Sequence, residues 1–186
     1  AESRLRYPVE FSGKERKVVL EGEAYFQVKK NPHLPFRVEI RNQVIEVLGT
    51  EFNVSGYKDE AQVYTTLVNG KVKVATTDRD MTLLPGEQCV LNTGDGSMIR
   101  QQVDVDKIIS WKKGKFILEE QTLEQIMQKL ARWYDITVFY QNPALKDKVF
   151  KGSVPRYTEL QQVLNILEKT DEVKFHIQNR TVMVRE

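Results

Sequence analysis

The sequence predicts two folds in series: an all-β sandwich or jelly-roll-like domain over residues 1–105, then a small α+β domain over residues 106–186 with the element order β-α-β-β-α-β-β. Three observations predict this. From Lys17 to about Val103, apolar residues recur at every second position in short runs, the period of half-buried strands. After Ile108 the period lengthens in two segments, TLEQIMQKLARWY and TELQQVLNILEKT, to the 3.6 residues of an amphipathic helix. Those two segments are related by a shift of 37 residues, which carries Leu123, Ile126, Met127 and Leu130 onto Leu160, Val163, Leu164 and Leu167.

The strands of the first region read in order as VVLEGEAYFQV, PFRVEI, QVIEVLG, EFNVSGY, QVYTTLV, KVKVAT, MTLLPGEQCVLN and MIRQQV. Many short strands at this spacing point to antiparallel layers rather than a parallel sheet. Within VLGTEFNVSGY, from Val47 to Tyr57, Gly49 interrupts the alternation, which predicts a bulge or bend using the φ > 0 freedom of glycine. Asn69-Gly70 predicts a type I′ hairpin between QVYTTLV and KVKVAT. Pro85-Gly86 and the stretch from Asn92 to Gly96 predict two further turns.

In the second region KFILEEQ reads as a strand, and Thr122 caps the first helix with Gln125 at the capping-box position. The strands ITVFY, KVFKGSV and RTVMV follow, together with the segment of Val173 and Phe175, which the repeat places opposite Ile136 and Val138. The expected result is two helices packed on one sheet. The charged stretch VDVDKIISWKKG supplies the boundary, near Val105.

Composition narrows the function. Lys plus Arg (28) against Asp plus Glu (26) gives a net charge of +2, which points away from nucleic acid. The charge is about −1 through Val105 and about +3 from Asp106 onward, a mild tilt of the second region toward an acidic partner. Cys89 is the single cysteine, so an intrachain disulfide and a thiolate-rich metal site are both excluded; its strand setting predicts a buried, inert thiol. No apolar run reaches the 18 or so residues of a membrane span, and AESRLRYPVE lacks the pattern of a signal peptide. A start at Ala rather than Met reads as a fragment or a processed piece.

Catalytic groupings are missing at sequence level. His33 lies in a Pro-flanked turn and His176 alternates within a strand, and neither has HxH or HExxH spacing. Glu51 has no His, Cys or second acid in its own segment to serve as a general base with. Asp78-Arg79-Asp80 lacks the ligand ladder of a calcium loop, and Gly94-Asp95-Gly96 lacks the strand-to-helix setting of a phosphate loop. The expectation is therefore a non-enzyme with no catalytic residues, no cofactor, no metal and no nucleic-acid partner. Four aromatics at element ends, Trp133, Tyr134, Phe139 and Tyr140, are the candidate anchors for a protein partner.

With these residues in view, the chain resembles the FecR family of bacterial anti-sigma regulators, in the periplasmic part of the form common in Bacteroidetes. The resemblance is carried by GEAYFQVKKNPHLPFRVE (Gly22 to Glu39), VLGTEFNVSGY, TLVNGKVKV (Thr66 to Val74), LLPGEQ (Leu83 to Gln88) and KFILEEQTLEQIMQKLARWYDITVFY (Lys115 to Tyr140). The second region is similar to the secretin and TonB short N-terminal module. The resemblance implies a periplasmic domain of a single-pass inner-membrane protein. Such a protein receives a signal from the periplasmic signalling domain of a TonB-dependent outer-membrane transporter and governs an extracytoplasmic-function sigma factor through a cytoplasmic segment. That segment and the membrane helix are absent from this chain. On this reading VLGTEFNVSGY is scaffold, a sheet corner. The rival expectations are a carbohydrate- or siderophore-binding periplasmic module built on the first region, and a self-assembling secretin-type module built on the second.

Overall fold

In the computed structural model, which describes residues 2–155, 158–170 and 172–186, the chain divides into two units, Ala1–Ile109 and Ser110–Glu186. The first is built from ten strands: β1 (Arg4–Arg6), β2 (Arg16–Gln27), β3 (Phe36–Ile40), β4 (Gln43–Val47), β5 (Glu51–Gly56), β6 (Gln62–Asn69), β7 (Val72–Ala75), β8 (Asp80–Leu83), β9 (Glu87–Asn92) and β10 (Met98–Gln102). A short helix, α1 (Val105–Ile108), follows, capped by the Asp104 carboxylate. The strand order is β10-β9-β6-β5-β2-β3-β4-β7-β8, with β1 added to β2.

The twelve-residue β2 belongs to both halves of this sheet. Its first part pairs in parallel with β3, from Arg16 opposite Phe36 to Val19 opposite Glu39. Its second part pairs antiparallel with β5, from Gly22 opposite Gly56 to Gln27 opposite Glu51. At the junction Gly22 has φ +92°, and a Cβ there would lie 2.5 Å from the Ser3 hydroxyl, which accepts the Glu23 N–H at 2.8 Å. Glycine is needed on both counts, since an L side chain would be strained and would clash.

Four hairpins, β3–β4, β5–β6, β7–β8 and β9–β10, then fall alternately in the two halves, and β4–β7 and β6–β9 join like to like. One core fills the space between, with Val38, Ile45, Val72 and Leu83 from one half and Phe52, Val63, Leu67 and Leu91 from the other. Burial of alternate residues drives this, at roughly 1.5–3 kcal/mol for each large aliphatic or Phe side chain. The expected sandwich or jelly-roll-like layering is what forms.

Two local expectations are corrected by this topology. Asn69-Gly70 does not close a β6–β7 hairpin: β6 pairs with β5 and β9, and β7 with β4 and β8, so the dipeptide carries the chain between halves. Gly70 has φ +98° but Asn69 does not share the positive φ that a type I′ turn requires. Tertiary pairing overrode the local cue. Gly49 is not in the left-handed region either. It sits in the crossing from β4 to β5, where a Cβ would lie 2.5 Å from Lys30 Cα, held there by Val28 N–H to Thr50 O and Asn31 N–H to Leu48 O. The constraint is close backbone approach, not φ.

The second unit contains β11 (Lys115–Thr122), α2 (Leu123–Tyr134), β12 (Thr137–Tyr140), β13 (Val149–Pro155), α3 (Leu160–Glu168), β14 (Lys174–Gln178) and β15 (Thr181–Arg185), with a 3₁₀ turn before β11 and another, Pro143–Asp147, before β13. The order β-α-β-β-α-β-β is the expected one. The strands form two sheets rather than one: β11 pairs antiparallel with β13, while β15 lies between β12, parallel to it, and β14, antiparallel. Alternation fixes which face of a strand is buried but carries no information on its neighbour, which is why the sheet count was not legible.

The repeat is real in three dimensions. Leu123, Ile126, Met127 and Leu130 of α2 and Val163, Leu164 and Leu167 of α3 are all buried in one core, with Val173, Phe175, Val182 and Val184. Thr122 and Gln125 form a reciprocal capping box. At the other end Asp135 takes φ 55°, and Arg180 donates from Nε to its carbonyl at 2.9 Å and pairs with its carboxylate. No helix among the described residues is long and apolar enough to cross a membrane.

Replacing Gly49 by Ala forces Lys30 away from the crossing, and the expected loss is about 1–3 kcal/mol, the range for overpacking. Urea unfolding of the variant against wild type measures it; an unchanged midpoint would show that the crossing has room to spare.

Candidate partner-binding site

Three polar residues of VLGTEFNVSGY hydrogen-bond to neighbouring segments, although the buried Asn53 Oδ1 is left without a partner among the described residues. The Thr50 hydroxyl donates to Lys71 O at 2.9 Å, Asn53 Nδ2 donates to Glu23 Oε1 at 3.0 Å, and Glu51 accepts the Tyr25 hydroxyl at 2.6 Å. That hydroxyl is pushed up to about 12, by burial first and then by the hydrogen bond to the Glu51 carboxylate. Asn53 belongs to a row of polar residues running across five strands in register, Tyr25–Asn53–Thr66–Gln88–Gln101. Gln101 donates to Gln88 at 2.9 Å, and Gln88 in turn donates to Thr66 at 2.6 Å. These bonds satisfy groups that are largely buried and so tie register to polarity.

Cys89 is fully buried, and burial pushes its thiol up to about 11. An open hollow of about 230 Å³ gathers Asn42, Thr77, Asp78, Arg79, Asn92 and Asp95 at one end of the first unit. Asp95 accepts the Ser97 N–H at 2.9 Å; its hydrogen bonds to Ser97, chiefly, and the Arg79 charge hold its carboxyl below the usual range. Among the described residues no three His, Cys, Asp or Glu side chains are grouped to hold a metal ion.

The four aromatics of the second unit separate into different roles. Trp133 packs edge-on against Phe116, with ring centroids 5.9 Å apart at 81°. Tyr134 lies against the core and donates its hydroxyl to Thr158 O at 2.6 Å. Tyr140 also packs on the core, with Lys146 Nζ 5.4 Å from its ring centroid and Lys146 held in turn by Glu124 at 2.8 Å. Burial, and secondarily the Glu124 charge, push its hydroxyl up to about 12. Phe139 alone of the four is open, at 56% exposure, because alternation in β12 turns it away from the core as it turns Tyr140 in.

Pairing brings neighbours to Phe139 that the sequence did not reveal. Phe139 is opposite Met183 on β15, and Met183 is opposite His176 on β14, so three residues from three strands form one outward row. Gln141 Nε2 lies 3.2 Å from the Met183 sulfur. The signal was present in the period of each strand; the parallel β12–β15 pairing that joins them was not.

Two family models match the chain: FecR protein over residues 1–73, and FecR, C-terminal, over residues 115–184. The chain belongs to the FecR family. Its fold is also that of a candidate anti-sigma factor from Parabacteroides distasonis, seen in crystal structures at 1.65 Å and 2.50 Å resolution. The TM-scores are 0.89 and 0.88 at 27% identity, covering 99% of this chain and 86% of that one. The comparison with curated proteins gives no match. In this FecR-family chain the C-terminal match spans the whole of the row formed by Phe139, Met183 and His176.

The raised tyrosines set a pH dependence. Tyr25 and Tyr140 bind their protons more tightly folded than unfolded, so their contribution is complete below about pH 10 and is lost as pH rises through about 12. Unfolding free energy measured in urea should therefore fall between pH 10 and 12, and Tyr140→Phe should flatten that fall.

Proposed function

We propose that this chain is the periplasmic, signal-receiving part of a transmembrane anti-sigma regulator. The reading rests on one observation above the others: both FecR matches occur, in order, on a fold shared along 99% of the chain with a candidate anti-sigma factor. In this proposal the β-rich unit is a rigid scaffold whose polar residues are consumed in holding register. The α+β unit is the receiver. It docks the periplasmic signalling domain of a TonB-dependent outer-membrane transporter, using the module that carries Phe139. A membrane helix and a cytoplasmic segment outside this chain pass the signal to the sigma factor. The role is non-catalytic, a matter of binding and release.

A second reading, capture of a carbohydrate or siderophore by the first unit, is favoured only by the polar hollow around Asn42, Asp78, Arg79 and Asp95. The hollow has no aromatic ring among its lining residues on which a sugar could stack.

The test is calorimetric titration of the full chain with the isolated signalling domains of its host's transporters, alongside thermal melts with nutrient glycans and ferric siderophores. Saturable binding of one signalling domain, with melting temperatures unmoved by the small ligands, is the expected result. A ligand-dependent rise in melting temperature with no domain bound would favour the second reading, since binding to the native state alone must raise stability.

A further inference from the structure

The outer face of the β12–β15–β14 sheet has a composition that selects a partner. Its strands contain no acidic residue at all. The positions that alternation turns outward are Thr137 and Phe139 on β12, Thr181, Met183 and Arg185 on β15, and Lys174, His176 and Gln178 on β14. All but Met183 are exposed. Cations therefore lie to one side of the row formed by Phe139, Met183 and His176, with Arg185 opposite Lys174 in the pairing, while the threonines and Gln178 lie on the other.

Among the described residues, three acids that flank these strands are already engaged. Asp135 pairs with Arg180, Glu172 with Lys148 at 3.7 Å, and Glu186 accepts from Asn142 Nδ2 at 2.9 Å. The face is thus apolar at its centre, cationic along one side and free of carboxylates within its strands. Phe is an effective interface anchor, and a polarisable, unbranched Met beside it adapts to the shape of what it meets.

We infer that this sheet face is the surface on which the signalling partner docks, and that the partner presents an acidic segment centred on an apolar side chain that seats against Phe139. The inference rests on the proposal that the chain receives a protein partner. Trp133, Tyr134 and Tyr140, the other three aromatics, then act behind the surface by fixing α2 and β12, not by touching the partner. A protein occupant fits better than a nucleic acid. Phosphate backbones are held by many basic contacts, whereas here two strands supply one Arg and one Lys around an apolar centre, on a chain of net charge +2. Charge complementarity at such a face sets association rate and partner choice, and it weakens with salt.

The test uses the full chain with Phe139→Ala, Arg185→Glu and, as a control on the first unit, Ile99→Ala, which removes a side chain that is 61% exposed. Each is titrated with the transporter signalling domains at two ionic strengths, and with phosphatidylglycerol vesicles and single-stranded RNA; thermal melts confirm folding. The expected result is a loss of at least about fivefold in affinity for Phe139→Ala, the fold-change that defines a contributing contact. Arg185→Glu should show a comparable loss, Ile99→Ala none, and wild-type affinity should fall as salt rises. A folded Phe139→Ala and a folded Arg185→Glu that both bind as wild type would overturn the assignment of the face and leave the docking proposal standing. No binding of wild type to any signalling domain would overturn both. Vesicle or RNA binding that Phe139→Ala abolishes would overturn a protein as the occupant.

Discussion

The β-rich unit depends on one strand having two sets of partners. β2 is hydrogen-bonded to β3 along its first part and to β5 along its second, and the exchange occurs at Gly22, where the Ser3 hydroxyl occupies the space a side chain would need. That switch fixes where the sheet folds back on itself. Once it is set, each following hairpin has a defined edge to join, and the chain must cross between halves after β4, after β6 and after β8. Gly49, Gly70 and Gly86 sit at those crossings, the first for its lack of bulk, the other two with φ of +98° and +88°. Glycine thus stands at each place where the layers exchange the chain, Gly22 included.

The two units spend their polar and aromatic residues differently. In the first, several amides, hydroxyls and carboxylates turn toward one another across neighbouring strands, as in Asn53 with Glu23 and in the run Gln101–Gln88–Thr66. In the second, Tyr134 and Tyr140 are committed to the interior and Trp133 to Phe116, while Phe139 is left outside on a face whose strands have no acids. This difference in allocation is what motivates the division between scaffold and receiver in the proposed function.

Much of the fold could be read before the structure. Period 2 located the strands from β2 to β10, period 3.6 located α2 and α3, and the 37-residue shift identified equivalent core positions that are buried together. What escaped was partnership. β1 is three residues long and wholly exposed, too short for alternation to register. The Asn69-Gly70 cue was overridden because both flanking strands found better neighbours across the sheet. Of the site, alternation separated Phe139 from Tyr140. It does not apply to Trp133 and Tyr134, which are adjacent on a helix and each make an intramolecular contact, Tyr134 with the core and Trp133 with Phe116. Met183 and His176 meet within the β14–β15 hairpin, but they join Phe139 only through the β12–β15 pairing, between segments more than forty residues apart, a distance over which local pattern is silent.

The parallel alignment of β12 with β15 decides how the proposed docking surface comes into being. Phe139, Met183 and His176 sit on three strands, and β15 is the one strand that touches both others. β12 and β14 have no hydrogen bonds to each other that could hold the row in line. The surface is therefore a keystone assembly. With residues 181–185 seated between their neighbours the three side chains share one plane; with that strand withdrawn, Phe139 and His176 are left on separate, unaligned segments. Because β15 follows β12 by some forty residues in the chain, the surface exists only after the module has completed its longest-range pairing. A partner that reads this row reads the finished fold, so that recognition and quality control become the same event.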